Sequence, residues 1–235
     1  RRKGLYKILM KKLFIHIPKN AGMTIRGSEA FQDKIIPVHR KWIANFKDFN
    51  ETMKSYKERD VKGVEHARWR DINCVITDQY QAFAVVRNPW SKVVSRYLFA
   101  KEAVQRGNID PSYADTRSLE HFLYERGKWI DKKYTWYRAI RGWHPQLDHV
   151  VDSKGRVRCD ILRVEHLKED VLKYFNMTEM PRSRNVTSIK EDYRTLYNNS
   201  TYEKVAEWYK KDIDYWDFDF DTGARKNTWA GKITN

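Results

Sequence analysis

Cysteine is scarce in this chain of 235 residues: only Cys74 and Cys159 occur, and they form no C-x-x-C pair. A disulfide framework and a structural zinc site built on cysteine both need more cysteines, so both are excluded, although one bridge between the two stays open. The sequence also lacks a run of about 18 apolar residues, so it predicts no membrane-spanning helix. No signal segment with a charged, an apolar and a small-residue part opens the chain.

Acidic residues are outnumbered, since 31 Asp and Glu stand against 46 Lys and Arg, a net charge of +15. Such a surplus indicates affinity for polyanions, such as nucleic acid, anionic lipid, acidic polysaccharide or a phosphate-rich cofactor. The basic residues are spread along the chain, which argues against a disordered basic arm. The nine Trp, fourteen Tyr and ten Phe predict a packed core, and the length suits one domain over residues 1–235.

Predicted strands alternate with predicted helices, a pattern typical of an α/β fold in which a central parallel sheet lies between two layers of helices. The strands are expected at 13–17, 35–38, 82–86 and 160–164, and the helices at about 24–31, 90–105, 117–126, 132–140, 166–175 and 201–211. Residues 39–62 are charged and aromatic without a clear period, which fits a helical insertion or a substrate-side loop. The tail from residue 212 alternates acidic with aromatic residues, which fits an edge strand or a packed terminal segment.

The stretch HIPKNAGMT, residues 16–24, ends a buried strand with a tight turn and begins a helix. This arrangement aims backbone N–H groups at an anion, with Lys19 adding a positive charge and Thr24 a hydroxyl. A plain strand-to-helix connection with a solvated lysine fits the loop equally well. The loop is not a Walker A motif, because that motif has glycines before its lysine and Lys19 precedes Gly22.

The stretch FAVVRNPWSKVVSRY, residues 83–97, places Arg87 at the carboxyl end of a second buried strand. Ligands of α/β sheets bind at this edge, and Asn88-Pro89 turns the chain into a helix there. Ser95 lies one helical turn after Ser91, so it can face the same side as the fork of Arg87. A guanidinium with a hydroxyl suits a phosphate monoester, whereas a surface ion pair is the simpler role for an arginine after a strand.

Together these two stretches resemble the cofactor motifs of the carbohydrate (Golgi-type) sulfotransferases and their bacterial, algal and viral relatives. IPKNAGMT is similar to their 5′-phosphosulfate loop, and VVRNPWSKVVSRY to their 3′-phosphate strand and helix, R-[D/N]-P-x-x-R-x-x-S-x-[Y/F]. Residues 65–72, 144–170 and the closing YEKVAEWYKKDIDYWDF resemble further family segments in the same order, so the likeness spans about residues 12–220. The chain departs from the pattern at Lys92, where arginine is usual, and at Asn20-Ala21, where Thr-Gly or Thr-Ala is more common.

This resemblance implies a P-loop-NTPase-like sulfotransferase fold with cofactor motifs at 14–26 and 83–97. It implies that 3′-phosphoadenosine 5′-phosphosulfate (PAPS) is the donor, that 3′-phosphoadenosine 5′-phosphate (PAP) is the product and that no metal takes part. The residues implied in cofactor binding are Pro18, Lys19, Asn20, Ala21, Gly22, Met23, Thr24, Arg87 and Ser95. Lys19 is also implied in catalysis, because it would stabilise charge on the leaving phosphate.

The resemblance implies a catalytic base between the two motifs, and His66 in EHARWRDI stands there. Glu65 is the alternative base, and a partly buried structural histidine is the simpler role for His66. Glu65, Arg68 and Arg70 are expected to bind the acceptor, and the two arginines suit an acidic one, although a solvated basic face fits them equally well. The acceptor side is expected at 39–72 and 105–150.

The sequence therefore predicts sulfuryl transfer from PAPS to a hydroxyl of a carbohydrate or glycan-like acceptor. The alternatives are a P-loop-type nucleotide or sugar kinase and a non-enzymatic polyanion-binding protein, and no nucleic-acid partner is expected. A cytoplasmic protein of the microbial or viral type is favoured. Five N-x-[S/T] sequons instead favour the Golgi lumen, with an N-terminal anchor removed.

Overall fold

The structure, a computed structural model, describes residues 11–37, 66–108, 110, 114–129, 142–182, 191–223, 227–229 and 232–234. The expected insertion at 39–62 and the expected helix at 132–140 lie outside these residues. In the described part of the chain, six strands form one sheet. They are β1 (Lys12–Ile15), β2 (Ile35–Ile36), β3 (Ala82–Val86), β4 (Cys159–Arg163), β5 (Asn227–Trp229) and β6 (Lys232–Thr234).

The sheet has the order β2-β1-β3-β4-β5-β6, and its first four strands are parallel. Strand β5 runs antiparallel to β4 and to β6. The described helices are α1 (Gly22–Arg26), α2 (Cys74–Gln79), α3 (Pro89–Gln105), α4 (Leu119–Trp129), α5 (Leu147–Val150), α6 (Leu167–Phe175), α7 (Asn199–Trp208) and α8 (Lys210–Trp216). Single 3-10 turns lie at Glu29–Phe31, Trp69–Asp71 and Tyr193–Leu196.

Two hydrophobic cores cover the two faces of the sheet, because successive residues of a strand point to opposite sides. Leu13 and Ile15 of β1 belong to the larger core, which α3, α4, α7 and α8 complete. Phe14, between them, belongs to the smaller core with residues of α1 and α6. The expected parallel sheet between two layers of helices is thus confirmed.

The helices at the two ends of the described chain differ from the prediction. The expected helix at 24–31 begins two residues earlier and ends at Arg26, and a separate 3-10 turn follows it. The expected helix at 201–211 is two helices, α7 and α8, that meet at Tyr209. Of the two alternatives for the tail from residue 212, the edge strand is wrong and the packed segment is confirmed, because Asp212 and Trp216 lie one helical turn apart and both are buried. Short strands β5 and β6 follow instead.

Cys74 is exposed and Cys159 is buried in β4, and both are free, so the bridge that the sequence left open does not form. In the described ranges, no helix is both long and apolar enough to cross a membrane.

Candidate functional site

The two predicted motifs meet at one edge of the sheet. Strands β1 and β3 are parallel neighbours, so the loops that leave their carboxyl ends lie side by side. Arg87, the first residue after β3, donates a hydrogen bond from Nη1 to the carbonyl oxygen of Lys19 at 3.3 Å. The fold therefore places a lysine and an arginine from distant parts of the sequence within one small region.

The loop between β1 and α1 has an unusual backbone. Lys19 has a φ of 69° and Ala21 a φ of 56°, in the left-handed region that non-glycine residues avoid at a cost of about 1–2 kcal/mol each. Asn20, between them, is buried, and its Nδ2 donates to the carbonyl of Val85 in β3 at 2.8 Å. Ala21 caps α1 without any side-chain hydrogen bond to the helix. The N–H groups of Gly22 and Met23 therefore receive no side-chain cap, whereas the N–H of Thr24 donates to the carbonyl of Ala21 at 3.0 Å.

The ammonium of Lys19 lies in a cluster of positive charge. Its Nζ lies 4.1 Å from the centre of the Phe99 ring in α3. Burial, followed by the charges of Arg87 and Arg96, lowers the pKa of Lys19 to about 8, and Glu102 opposes this shift. A bound anion would offset both causes, because it would return an opposite charge to the desolvated ammonium.

Helix α3 holds Arg87 from the other side. Pro89 occupies the first turn of α3, and the side chain of Asn88 accepts hydrogen bonds from the backbone of Trp90 and Ser91. The Nε of Arg87 donates to Ser91 Oγ at 2.9 Å. Ser95 is half-buried one turn further along α3. The contact with Ser91 was not predicted, although the sequence places both serines on the same side of the helix.

Glu165, two residues after the end of β4, supports the start of α3 as well. Its Oε1 accepts a hydrogen bond from the backbone N–H of Asn88 at 2.7 Å. Burial lowers the pKa of Arg87, and the nearby Glu165 carboxylate raises it. The carboxylate thus fixes the start of α3 and partly balances the arginine.

His66 has one fixed nitrogen. Its Nδ1 lies 2.8 Å from the backbone carbonyl oxygen of His16, and the two imidazole rings are 4.2 Å apart. A carbonyl oxygen can only accept, so Nδ1 carries the hydrogen and Nε2 of the neutral ring has a lone pair. This tautomer is the one that a proton acceptor at Nε2 requires.

His16 connects this histidine to the loop. Its ring stacks on Phe14, and Arg26 Nη1 lies 3.4 Å from its Nδ1. A Cβ on Gly22 would lie only 1.7 Å from the Nε2 of His16. Glycine at the start of α1 therefore leaves the space that the His16 ring occupies.

We expect Gly22→Ala to lower the free energy of unfolding by about 1–3 kcal/mol, because the added methyl overlaps a buried ring. Gly127→Ala is the matched control, since nothing lies near a Cβ added there in α4, and it should raise stability by up to about 1 kcal/mol. Urea unfolding measures both changes. A Gly22→Ala protein as stable as the wild type would contradict the position of His16.

The remaining predicted residues are placed as follows. Pro18 and Thr24 are buried, and Met23 is half-buried. Arg68 forms a bidentate ion pair with Asp71, with Nε 2.7 Å from Oδ2, so its guanidinium is engaged within its own turn. Arg70 is half-buried in the same turn, and Glu65 lies outside the described residues.

Sequence analysis missed a buried polar network behind the two motifs. Gln146 and Asp212 are both fully buried, and Gln146 bonds to Asn20, Arg87 and Asp212. Lys92, which stands where the family pattern has arginine, is buried nearby and donates to the carbonyl of His144 at 3.1 Å. Burial lowers the pKa of Lys92 to about 8, and Asp212 opposes this shift. The only signal was the family-like segment at 144–170, which did not reveal its partners.

Among the residues that the structure describes, no group of three or more His, Cys, Asp and Glu side chains is arranged to hold a metal ion.

The pattern of the sulfotransferase family matches residues 10–219 of the chain. An uncharacterised protein of Archaeoglobus fulgidus is 29% identical over 122 residues, which cover 51% of this chain and 87% of that protein. No solved structure gives a significant match.

Proposed function

This chain belongs to the sulfotransferase family, and we propose that it transfers the sulfuryl group of PAPS to a hydroxyl of a carbohydrate acceptor. The observation that carries the proposal is the meeting of Lys19 and Arg87 at the carboxyl ends of two adjacent parallel strands. The charge of Arg96 also acts on Lys19, while Glu102 acts on Lys19 and Glu165 acts on Arg87. A desolvated lysine and a desolvated arginine side by side fit a ligand with phosphate groups at two positions.

The loop at residues 18–24 fits the 5′ end of the donor. PAPS, when bound, supplies an activated sulfuryl group on a phosphate that leaves as PAP. The first N–H groups of α1 and the Lys19 ammonium would hold that phosphosulfate, in the manner of donors arranged around developing charge. The side chain of Asn20 is turned into the network behind the loop, so its contribution would be to hold the loop rather than to touch the donor.

Arg87 fits the 3′-phosphate. Its Nε is already oriented by Ser91, which leaves its planar fork in a fixed direction. A fixed guanidinium recognises phosphate with two hydrogen bonds, and the Ser95 hydroxyl would add a third. These residues would distinguish PAP from nucleotides that lack a 3′-phosphate.

His66 fits the role of the catalytic base. As the acceptor oxygen attacks sulfur, His66 Nε2 accepts the hydroxyl proton, and Lys19 neutralises the charge that grows on the bridging oxygen of the broken S–O bond. The His16 carbonyl would stabilise the imidazolium through its bond to Nδ1, because that bond strengthens when the ring becomes positive. No metal is needed for these steps.

The turn at Trp69–Asp71 begins three residues after His66, so its side chains are near the proposed base and are candidates for contact with the acceptor. Trp69 is half-buried, and the guanidinium of Arg158 lies 5.0 Å from the centre of its ring. An indole with neighbouring guanidinium groups suits a sugar ring that bears an acidic group. The net charge of +15 also favours an acidic polysaccharide.

Transfer of radioactive sulfur from PAPS tests the function directly. The acceptors are a neutral polysaccharide, a uronate-containing polysaccharide and a simple alcohol, and ATP with labelled γ-phosphate serves as the alternative donor. We expect label from PAPS in a polysaccharide, with the uronate-containing one preferred. Label from ATP instead would establish a kinase. A folded protein that neither binds PAP nor transfers sulfur to any acceptor would overturn the proposal.

The affinity for PAP should depend on pH through Lys19. Its pKa is lowered to about 8 without ligand, and a bound phosphate favours the charged form. The affinity should therefore be constant below the pKa and fall by up to about tenfold per pH unit above it. Calorimetry between about pH 7 and pH 9.5 measures this slope.

Lys19→Arg is the control, because arginine stays charged over this range. Its affinity for PAP should not fall with rising pH. If the variant kept the wild-type slope, Lys19 would not be the titrating group and Lys92, also with a pKa of about 8, would take its place.

A further inference from the structure

We propose that Gln146 and Asp212 are positioning residues that set the Lys19 loop and Arg87 at the spacing that one doubly phosphorylated nucleotide requires. This inference rests on the proposed function for the identity of the ligand. Neither residue would touch the ligand, because both lie buried beneath the loops. Their effect would pass through the two motifs that they join.

Gln146 uses every hydrogen-bonding position of its amide. Its Oε1 accepts from Asn20 Nδ2 at 2.5 Å and from the backbone N–H of Arg87 at 2.9 Å. Its Nε2 donates to the backbone carbonyl of Arg87 at 2.8 Å and to Asp212 Oδ2 at 3.1 Å. Two acceptor bonds and two donor bonds are all that a glutamine amide can make, so no other side chain of this length meets all four.

Asp212 fixes the position of Gln146 in turn. Its Oδ2 accepts from the backbone N–H of Gln146 at 2.8 Å, and its Oδ1 accepts from the N–H of Leu147 at 2.9 Å. The charge of Lys92 acts on the same carboxylate. Helix α8, which carries Asp212, therefore holds the start of α5, and the start of α5 holds both motifs.

The loop depends on this support because its backbone is strained. Lys19 and Ala21 both have positive φ, and such conformations persist only where the surrounding structure determines them. Asn20 lies between the two and is held on one side by Val85 and on the other by Gln146. Arg87 is held at both its N–H and its carbonyl. One amide group thus fixes the loop relative to the arginine.

Replacing the amide of Gln146 with a carboxylate should alter the spacing between the Lys19 loop and Arg87. Gln146→Glu keeps the length of the side chain and the bonds to Asn20 and to the N–H of Arg87. It removes the amide donor to the carbonyl of Arg87 and places a second carboxyl group against Asp212, where two negative charges repel and a proton shared by the pair replaces the amide bond. The carbonyl of Arg87 would lose its partner.

The experiment compares three nucleotides on wild type and Gln146→Glu by calorimetry. PAP spans both motifs, AMP has only the 5′-phosphate, and 3′-AMP has only the 3′-phosphate. We expect the Kd of PAP to rise by about thirtyfold or more while the Kd values of AMP and 3′-AMP change by less than about threefold, because only PAP needs the correct spacing. If the variant were merely less stable, the binding of all three nucleotides would weaken in the same ratio, and that result would overturn the proposal.

Two further variants sharpen the comparison. The double variant Gln146→Glu with Asp212→Asn restores a donor to the pair and the original net charge, so it should regain part of the PAP affinity. Gln81→Glu is the matched control, since Gln81 also donates to a buried aspartate, Asp160, at 2.5 Å, but at the other end of the sheet. It should change the affinity for PAP by less than about threefold.

Hydrogen exchange of the ligand-free protein separates this proposal from the proposed function. Gln146→Glu should speed exchange in peptides that cover 16–26 and 86–92, and leave peptides of α6 unchanged. Unchanged exchange in both motifs would overturn the positioning role even if PAP binds. If exchange in Gln146→Glu is faster but the wild type binds no PAP, the positioning role stands and the nucleotide is not the ligand. If Gln146→Glu does not fold, Gln146→Met has the same length without a charge and is judged by the same outcomes.

Discussion

Arg87→Ala should weaken the binding of PAP by about 100-fold or more and that of AMP by less than about threefold. Hydrogen bonds between charged groups contribute about 1.5–3 kcal/mol each, so the loss of two of them from the 3′-phosphate gives this factor. AMP has no 3′-phosphate, so it reports whether the loop itself stays intact. This check matters because Arg87 also bonds to the carbonyl of Lys19. Calorimetry with both nucleotides measures the two effects together.

Two further variants test what makes the arginine necessary. Arg87→Lys keeps the charge but loses the planar fork and the bond to Ser91, so its affinity for PAP should lie between those of wild type and Arg87→Ala. Arg117→Ala removes an exposed arginine that pairs with Asp115 and belongs to neither cofactor motif, so it should leave both affinities unchanged. Equal losses for PAP and AMP in Arg87→Ala would mean that Arg87 shapes the loop and does not recognise the 3′-phosphate.

The parts of the fold that follow from local patterns could be predicted from the sequence. The run AFAVV gives a fully buried strand, and Asn88-Pro89 gives the capped start of a helix, so β3 and α3 lie within one residue of their expected bounds. Both signals act between neighbours in the chain. The same local patterns place Lys19 and Arg87 each just after a buried strand, whereas the pairing of β1 with β3 joins residues about 70 positions apart and came from the structure.

The network behind the site could not be predicted, because its contacts join distant parts of the chain. Gln146 is 126 residues from Asn20 and 66 residues from Asp212. A glutamine in a polar segment and an aspartate in DIDYWDFDF both suggest an exposed surface when they are considered alone. The alternation of acidic and aromatic residues in that tail suggested a strand, whereas the burial of Asp212 and Trp216 on one side of α8 gives a helical period.

His66→Asn should lower the turnover number by about 10²–10⁴-fold while changing the Kd of PAP by less than about threefold. Asparagine is the most informative replacement, because its Nδ2 can still donate to the carbonyl of His16 as His66 Nδ1 does, while its amide oxygen is too weak a base to take the proton. Steady-state rates of sulfur transfer, with calorimetry of PAP beside them, measure both quantities.

His166→Asn provides the matched control, since His166 is an exposed histidine that pairs loosely with Glu169, 3.8 Å away, and its replacement should leave the turnover number unchanged. His16 lies against His66 but is an unsuitable substitute base, because Arg26 Nη1 can only donate to its Nδ1, so the other ring nitrogen of neutral His16 carries the hydrogen. A His66→Asn enzyme that keeps more than about a tenth of the wild-type turnover would therefore place the base elsewhere. Glu65 stands next to His66 in the chain, so Glu65→Gln would then be expected to show the loss of turnover, again with PAP binding intact.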